Sequence, residues 1–293
     1  MLCVVSHDAG GAEILASYVA RNRIACEFVL DGPGLTVFQR RLGRVKPICL
    51  NAALDKCDEF LTGTSWQSNL EWKALVGARE LGKKTISFLD HWGNYRERFI
   101  RNKVECLPDT FYVGDVLAEK LTRQMFPRKP VFLISNPHFD DVREAFSKLE
   151  NCSGTKLKDG LRVLFVCEPL TEHGGLQYGD ERHWGYTEFE ALRYFFEKRE
   201  SLGSPVIKLV IRPHPSESKQ KYREIAHEFG KIAFIGGKKT LLQEIAECDV
   251  VVGCESMAMV IGLIAGRRVV SAIPPGGRPC SLPQSEIESL AAL

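Results

Sequence analysis

The sequence predicts an α/β protein built from two doubly wound parallel sheets, and three observations support this fold class. The chain has 293 residues, about twice the length of a usual domain. Short runs rich in β-branched residues alternate with stretches of helical periodicity, which is the pattern of parallel strands covered by helices on both faces. This alternation breaks at a polar stretch near the middle of the chain and then begins again.

The first half contains strand candidates separated by predicted helices. The strand candidates are residues 2–6, 25–30, 47–50, 59–62, 85–89, 110–113 and 131–134. Helical periodicity predicts helices over residues 12–21, 68–81 and 116–125. Together these elements form one doubly wound unit.

A polar stretch over residues 150–160 separates the two halves. It follows a helix predicted over residues 139–149 and shows no apolar periodicity, as expected of a linker. The predicted domains are therefore residues 1–150 and 160–293.

The second half repeats the order of strands and helices, and it begins with a buried strand at residues 161–167. The later elements are strands 207–211, 232–235, 250–252 and 269–272 and helices 218–229, 240–246 and 257–265. This order predicts two Rossmann-like domains that face each other across a cleft. Ligands of such domains bind beyond the carboxyl ends of the strands, so the loops after the strands hold the candidate site residues.

Composition excludes several functional classes. Apolar residues make up 44% of the chain and charged residues 26%, as in ordinary globular proteins. The 39 basic and 37 acidic residues leave a net charge of +2 without a basic block, which disfavours binding to nucleic acid or to a membrane surface. We expect a cytoplasmic protein without an integral membrane segment, because no apolar run is long enough to cross a bilayer and the N-terminus lacks a signal-peptide pattern. The ten cysteines form no CxxC pair, and most of them are interpreted as reduced core residues.

The loop after the first strand combines titratable side chains with glycines. His7 and Asp8 stand at the tip of the strand, where a general base would sit. Gly10 and Gly11 allow close approach of the backbone to a ligand, and the free amides at the following helix start favour an anion. The alternative is that Asp8 caps the helix and His7 is a hydrogen-bonded loop residue.

The loop at residues 90–96, which follows the strand at 85–89, is also dense in functional groups. It holds an acid, an imidazole, two aromatic rings and a guanidinium within seven residues. Asp90 and His91 are its candidate catalytic groups, and the rings suit a sugar or a base. The alternative is a packed aromatic corner in which Asp90 caps a turn.

An Arg-Pro-His-Pro element follows the strand at 207–211. Its two prolines fix the backbone around His214, and Arg212 is a suitable bidentate partner for phosphate. The element is therefore a candidate phosphate site.

A second candidate phosphate site follows the strand at 250–252. Gly253 permits a tight turn, and Ser256 together with the first helical amides can hold a phosphate, since the helix dipole favours negative charge there. Glu255 is placed to accept hydrogen bonds from ribose hydroxyls. The alternative is a helix cap without a ligand.

Several known motifs are missing from the sequence. The lysine pair at 238–239 is not part of a P-loop, because Ile232 stands where the first glycine belongs. The glycines at 32 and 34 do not form a dinucleotide fingerprint, because Val37 occupies the third glycine position. No DxD, HExxH or GxSxG pattern occurs, so we predict no bound metal ion, no cofactor and no hydrolase nucleophile elbow.

Four features together resemble the GT-B glycosyltransferases and the related nucleotide-sugar 2-epimerases. They are the two Rossmann-like halves, the glycine pair in the first loop, the Arg-Pro-His-Pro element and the Gly-x-Glu-Ser helix start. The His214-Pro215 pair with the downstream Ser256 is similar to the pattern of bacterial sialyltransferases and CDP-glycerol transferases. The resemblance implies that His214 and Ser256 face the donor phosphate. It also implies a nucleotide-binding C-terminal domain, an acceptor-binding N-terminal domain and chemistry without a catalytic metal.

The leading functional hypothesis is a transferase that moves a sugar or related unit from a nucleotide-activated donor to an acceptor in surface polysaccharide biosynthesis. Its general base would be Asp8, or else His7, Asp90 or His91. A homo-oligomer is compatible with the sequence.

Two alternatives stay open. The first is a nucleotide-sugar 2-epimerase or hydrolase, in which Asp8 acts with Glu168 or Glu172. The second is a non-catalytic scaffold subunit, with the glycine- and aromatic-rich segment 172–186 as its docking surface. That segment would be a mobile lid over the donor if the chain is an enzyme.

Overall fold

The computed structural model describes residues 1–65, 68–150, 160–218 and 220–293. It contains two compact units, unit 1 (Met1–Asp141) and unit 2 (Val142–Leu293). Residues 151–159 of the predicted linker, including Cys152, lie outside the described residues, as does Lys219 of the helix predicted at 218–229.

Unit 1 contains a parallel sheet with the strand order β2-β1-β3-β4-β7-β8, as far as the described residues show. Its strands are β1 (Leu2–Ser6), β2 (Cys26–Leu30), β3 (Glu59–Thr62), β4 (Lys84–Leu89), β7 (Thr110–Val113) and β8 (Val131–Leu133), and a small antiparallel hairpin comprises β5 (Ile100–Arg101) and β6 (Val104–Glu105). The helices are α1 (Ala9–Asn22), α2 (Gly32–Leu42), α3 (Leu50–Lys56), α4 (Leu70–Glu80) and α5 (Val116–Met125). Helix α6 (Pro137–Glu150) begins in unit 1 and continues into unit 2.

The two faces of this sheet bury different residues of β1, because successive side chains of a strand point to opposite faces. Val4 packs in a core cluster with residues of α1 and α2. Cys3 and Val5 pack on the other face with residues of α3 and α4. From Cys3 to Ser6 the strand is buried on both sides, as expected for a central parallel strand.

The predicted strand at 47–50 is wrong. Residues 44–49 adopt no regular structure, and Leu50 already begins helix α3. Pro47 lacks a backbone N–H and so cannot complete a strand ladder, while the Asn-Ala-Ala-Leu run after it favours a helix. Helix α2 was not predicted, although the Asp31 carboxylate accepts a hydrogen bond from Gly32 N at its start and a proline follows in the first turn.

Unit 2 contains a second parallel sheet, with the strand order β11-β10-β9-β12-β13-β14 over the described residues. The strands are β9 (Leu161–Val166), β10 (Val206–Arg212), β11 (Ala233–Ile235), β12 (Val250–Gly253), β13 (Arg268–Ser271) and β14 (Ile287–Ser289). The helices are α7 (Leu170–Tyr178), α8 (Glu188–Lys198), α9 (Arg223–Glu228), α10 (Leu241–Ala246) and α11 (Met257–Ile264).

Helices α7 and α8 and strand β14 were not predicted from the sequence. Helix α7 contains Gly174 and Gly175, which lower helix propensity. Helix α8 begins with a capping box between Thr187 and Glu190. The segment 172–186, predicted to be a lid or a docking surface, is thus partly helical.

Each sheet reverses its strand order next to its first strand, between β1 and β3 in unit 1 and between β9 and β12 in unit 2. Ligands of doubly wound sheets bind at such switch points, beyond the carboxyl ends of the strands. In the part of the chain that the structure describes, no helix is long and apolar enough to span a bilayer.

Candidate active site

The switch point of unit 1 holds a histidine and an aspartate in direct contact. His7 and Asp8 follow the end of β1, and the His7 Nδ1 atom lies 2.7 Å from Asp8 Oδ1. The Ser65 hydroxyl, after β3, donates to the same Asp8 oxygen over 2.6 Å. Asp8 makes no side-chain cap hydrogen bond to α1, so its carboxylate orients His7 instead of capping the helix.

This contact sets the tautomer of His7. An ionised carboxylate only accepts hydrogen bonds, so Nδ1 carries the proton that faces Asp8. In the neutral ring the Nε2 atom therefore holds the lone pair and is the basic atom. The contact with Asp8 therefore orients the His7 ring and leaves Nε2 as its basic nitrogen.

Two glycines allow this arrangement. A Cβ atom on Gly32, whose φ is +51°, would lie 2.5 Å from His7 Nε2, and one on Gly10 would lie 2.5 Å from Asp90 Oδ2. Gly11 of α1 and Gly63 after β3 bring the backbones of these two segments into contact. Gly10 and Gly32 thus leave room for the side chains of Asp90 and His7.

Asp90 is engaged in a half-buried ion pair. Its Oδ1 atom accepts hydrogen bonds from Arg98 Nη1 at 3.0 Å and from the Thr64 hydroxyl at 2.9 Å. Because the guanidinium neutralises this carboxylate, we interpret Asp90 as the anchor of its loop. His91 stands next to Trp92, with the ring centroids 5.8 Å apart.

Glu71 is a site residue that the sequence analysis missed. It lies in the first turn of α4, is buried, and accepts a hydrogen bond of 2.6 Å from the backbone N–H of His7. Burial raises the pKa of Glu71 to about 7, and the nearby charge of Asp8 adds to the shift. In the sequence, Glu71 stands between Leu70 and Trp72 at the start of α4, and this apolar flanking was the available signal.

The switch point of unit 2 also holds a carboxylate. Glu168 follows β9, and its Oε1 atom accepts hydrogen bonds from the backbone N–H groups of Glu255 at 2.9 Å and Cys254 at 3.2 Å. These two N–H groups directly precede Ser256 and the first helical amides, which the sequence predicts to hold a phosphate. Burial raises the pKa of Glu168 to about 7 against the opposing effect of these hydrogen bonds. The N–H groups of Cys254 and Glu255 are therefore occupied by a carboxyl oxygen of the protein itself.

Glu255 and Ser256 occupy the start of α11. Ser256 Oγ accepts a hydrogen bond from Ala258 N at 3.2 Å and caps the helix. Glu255 Oε2 accepts from both the hydroxyl and the N–H of Ser281, at 2.9 and 3.2 Å. Glu255 thereby fixes the loop that follows β13.

His214 is held with a defined tautomer. The backbone N–H of Ser216 donates to His214 Nδ1 at 3.2 Å, and the Ser216 hydroxyl lies 2.7 Å from the same atom. The proton of the neutral ring is therefore on Nε2, which makes this atom a hydrogen-bond donor. Burial lowers the pKa of His214, which favours the neutral ring.

The loop around His214 is fixed by Glu217. This buried carboxylate accepts hydrogen bonds from His214 N at 2.9 Å, Tyr222 Oη at 2.8 Å and Lys221 Nζ at 2.6 Å. Lys221 also pairs with Glu188 of α8. The ion-pair network thus ties the histidine to two further elements.

Arg212 points to a different part of unit 2. Its Nη1 atom donates to Glu244 of α10 at 2.5 Å and to the Lys239 carbonyl oxygen at 3.1 Å. The guanidinium is therefore committed to an ion pair within the protein, and we leave it out of the phosphate site.

A cavity of about 370 Å³ lies beyond the carboxyl end of β13. It is lined mainly by uncharged residues of the loop that Glu255 holds, including Pro274, Cys280 and Gln284. The Gln284 side-chain oxygen is buried without a hydrogen-bond partner among the described residues. Sequence analysis did not find this cavity.

Comparison with known proteins shows the fold. No family model and no curated protein matches the sequence. UDP-GlcNAc 2-epimerase from Neisseria meningitidis superposes with a TM-score of 0.61 at 10% identity, over 94% of this chain and 83% of that chain. The UDP-GlcNAc 2-epimerase from Methanocaldococcus jannaschii gives 0.57 at 12% identity, over 92% and 83%. The kitacinnamycin glycotransferase gives 0.52 at 14% identity, over 93% and 80%. The predicted architecture of two Rossmann-like domains of the GT-B type is confirmed.

Proposed function

We propose that the protein is a glycosyltransferase that moves a sugar or related unit from a nucleotide-activated donor to an acceptor hydroxyl, in the synthesis of a surface polysaccharide. The observation that carries the proposal is the pair of His7 and Asp8 at the switch point of unit 1, with its basic nitrogen defined by the Asp8 contact. The GT-B fold supports it.

In the proposed reaction unit 1 binds the acceptor and supplies the base. His7 Nε2 removes the proton of the acceptor hydroxyl as its oxygen forms a bond to the anomeric carbon. The bond from that carbon to the phosphate oxygen breaks, and its electron pair leaves with the phosphate. Asp8 stabilises the imidazolium that His7 becomes.

Unit 2 binds the donor in this proposal. The neutral His214 donates from Nε2 to a phosphate oxygen, and the amides at residues 254–256 stabilise the charge that develops on the leaving group. The cavity beyond β13 is large enough for a nucleobase, since small-molecule sites start at about 300 Å³.

The first test is ligand-induced thermal stabilisation with CMP, CDP, UDP and GDP. We expect at least one nucleotide to raise the melting temperature of the wild type at millimolar concentration, and His214→Ala to reduce this shift. The absence of a shift with all four nucleotides would count strongly against the proposal.

A 2-epimerase or hydrolase is the second candidate, and the position of Glu168 favours it. This carboxyl lies at the switch point with a pKa of about 7, which suits an acid–base catalyst near neutral pH. Incubation with the donor alone separates the two functions: complete epimerisation or nucleotide release without an acceptor indicates the second candidate.

Substitution of Glu168 also separates them. If the amides at residues 254–256 bind phosphate, Glu168→Ala removes a competing carboxylate, and we expect nucleotide affinity to rise about three- to tenfold by calorimetry, an effect of roughly 1 kcal/mol. If Glu168 is instead the catalytic group, the variant binds the nucleotide sugar but loses turnover.

A further inference from the structure

We propose that unit 1 contains a binding pocket for a neutral apolar group, aryl or short alkyl, attached to the acceptor. The identity of the ligand as an acceptor rests on the proposed function. The pocket itself is a cavity of about 260 Å³ between the loop after β4 and helix α5.

The lining of this pocket is uncharged and largely apolar. Trp92 and Tyr95 contribute from the loop, Leu121 and Met125 from α5, and Asn94 and Gln124 add amide groups. A pocket without charge disfavours phosphate and nucleotide. Its volume is below the roughly 300 Å³ at which sites for whole small molecules begin, so it suits one ring or a short chain.

Apolar surface continues from the pocket along α5. Met125 is 45% exposed and Leu117 is 42% exposed, with the half-buried Leu121 between them. These residues are spaced by four and therefore share one face of the helix. Methionine adapts its shape to apolar ligands. The exposed stripe would lose water contact when an alkyl or aryl group lies on it.

The position of the pocket relates it to the acceptor. Its Trp92 follows Asp90 by two residues, and Asp90 Oδ2 lies against Gly10 beside the His7 loop. The Trp92 ring is held by a hydrogen bond of 2.9 Å from Nε1 to Asp115 Oδ2. An acceptor whose hydroxyl is near His7 can therefore place its apolar group on a preformed surface of the same unit.

The test uses methionine methyl groups as reporters. The chain has four methionines, and the Met125 signal of protein labelled with [methyl-13C]methionine is identified by its loss in Met125→Leu. The fully buried Met259 and the 57% exposed Met1 serve as internal references. The ligands are phenyl, n-hexyl and methyl β-D-glucopyranoside, which differ only in the apolar group.

We expect the phenyl and hexyl glucosides to shift the Met125 signal saturably, with at least about tenfold higher affinity than the methyl glucoside. Leu121→Gln should weaken this binding about tenfold, with an unchanged Met259 signal as evidence of folding. The control Leu176→Gln, at an 88% exposed leucine of unit 2, should bind as the wild type does.

Three outcomes would overturn the pocket: no shift of Met125, equal affinity for all three glucosides, or equal binding by Leu121→Gln. The experiment measures no turnover. If the glucosides bind but no transferase activity is found, the pocket stands and the proposed function is wrong. If transferase activity is found but the glucosides do not bind, the proposed function stands and the pocket is wrong.

Discussion

At the scale of single residues, the site is built from carboxylates with different tasks. Asp8 orients His7, Asp90 is neutralised by Arg98, and Glu168 occupies backbone amides. The sequence predicts that acids and histidines follow the strands, but it does not predict the hydrogen-bond or ion-pair partner of each side chain. Arg212 is an example, because its partner Glu244 lies 32 residues away and could not be inferred from the local pattern.

His7 and Asp8 give the first prediction. His7→Gln should lower kcat of the transfer reaction about 10²- to 10⁴-fold, the usual contribution of a general base, with a much smaller change of KM for the donor. Asp8→Asn should lower kcat as well, because the amide permits the wrong tautomer of His7. The control is His227→Gln, at an exposed histidine of α9, and equal activity of His7→Gln and this control would remove His7 from the mechanism.

Glu71 gives a prediction on stability and pH. Its pKa in the folded protein is about 7, above the ordinary value of 4.5, so folding favours its protonated form. The resulting stabilisation is fully present below pH 4.5 and is lost as the pH rises through 7. Glu71→Gln lacks this loss, so its free energy of unfolding relative to the wild type should increase by about 1–3 kcal/mol between pH 4.5 and 8. Urea denaturation at several pH values measures this, and parallel pH profiles of the two proteins would contradict it.

At the scale of elements, close contacts between loops constrain the first turn of α1. Glycine in a helix usually costs about 0.5–1 kcal/mol relative to alanine, so such glycines are poor helix residues. At Gly10 the added methyl group would meet Asp90 Oδ2 at 2.5 Å, and Asp90 is held by Arg98 and Thr64. The close approach of Asp90 therefore outweighs helix propensity at this position.

A pair of glycine substitutions tests this. Gly10→Ala should destabilise the protein by about 1–3 kcal/mol, since the carboxylate cannot move without breaking its ion pair. The control is Gly175→Ala in α7, where the nearest atom would be 3.5 Å away, and it should stabilise by about 0.5–1 kcal/mol. Thermal unfolding of both variants is the measurement, and stabilisation by both would show that the Gly10 contact is unimportant.

At the scale of the whole molecule, the alternation of strands and helices was sufficient to predict the fold. The runs that became β1, β3, β9 and β12 are short and mostly buried. The predicted boundary at 150–160 stays a prediction. Elements with weak local signals were not predicted. Helix α7 contains two glycines, and β14 gains its stability from pairing with β13, which is a contact distant in sequence. Glu71 and the cavity beyond β13 were missed because burial depends on tertiary packing.

The separation into two units gives the last prediction. If unit 2 alone binds the nucleotide, hydrogen exchange in the presence of CDP or UDP should slow at residues 213–217 and 253–258 and stay unchanged at residues 7–12. Mass spectrometry of peptic peptides measures this. Equal protection of both segments by a nucleotide without sugar would contradict the division of roles.

The two buried carboxyls at the switch points have a consequence for laboratory evolution. Glu71 and Glu168 both have a pKa of about 7, so both lower the stability of the folded protein above that pH. Selection for heat resistance alone should therefore enrich neutral residues at these two positions, and selection for activity should restore the acids. In a mutational scan that measures both protein abundance and turnover, we expect neutral substitutions at these two positions to raise abundance and lower turnover. Such opposite effects are typical of positions where function and stability trade off.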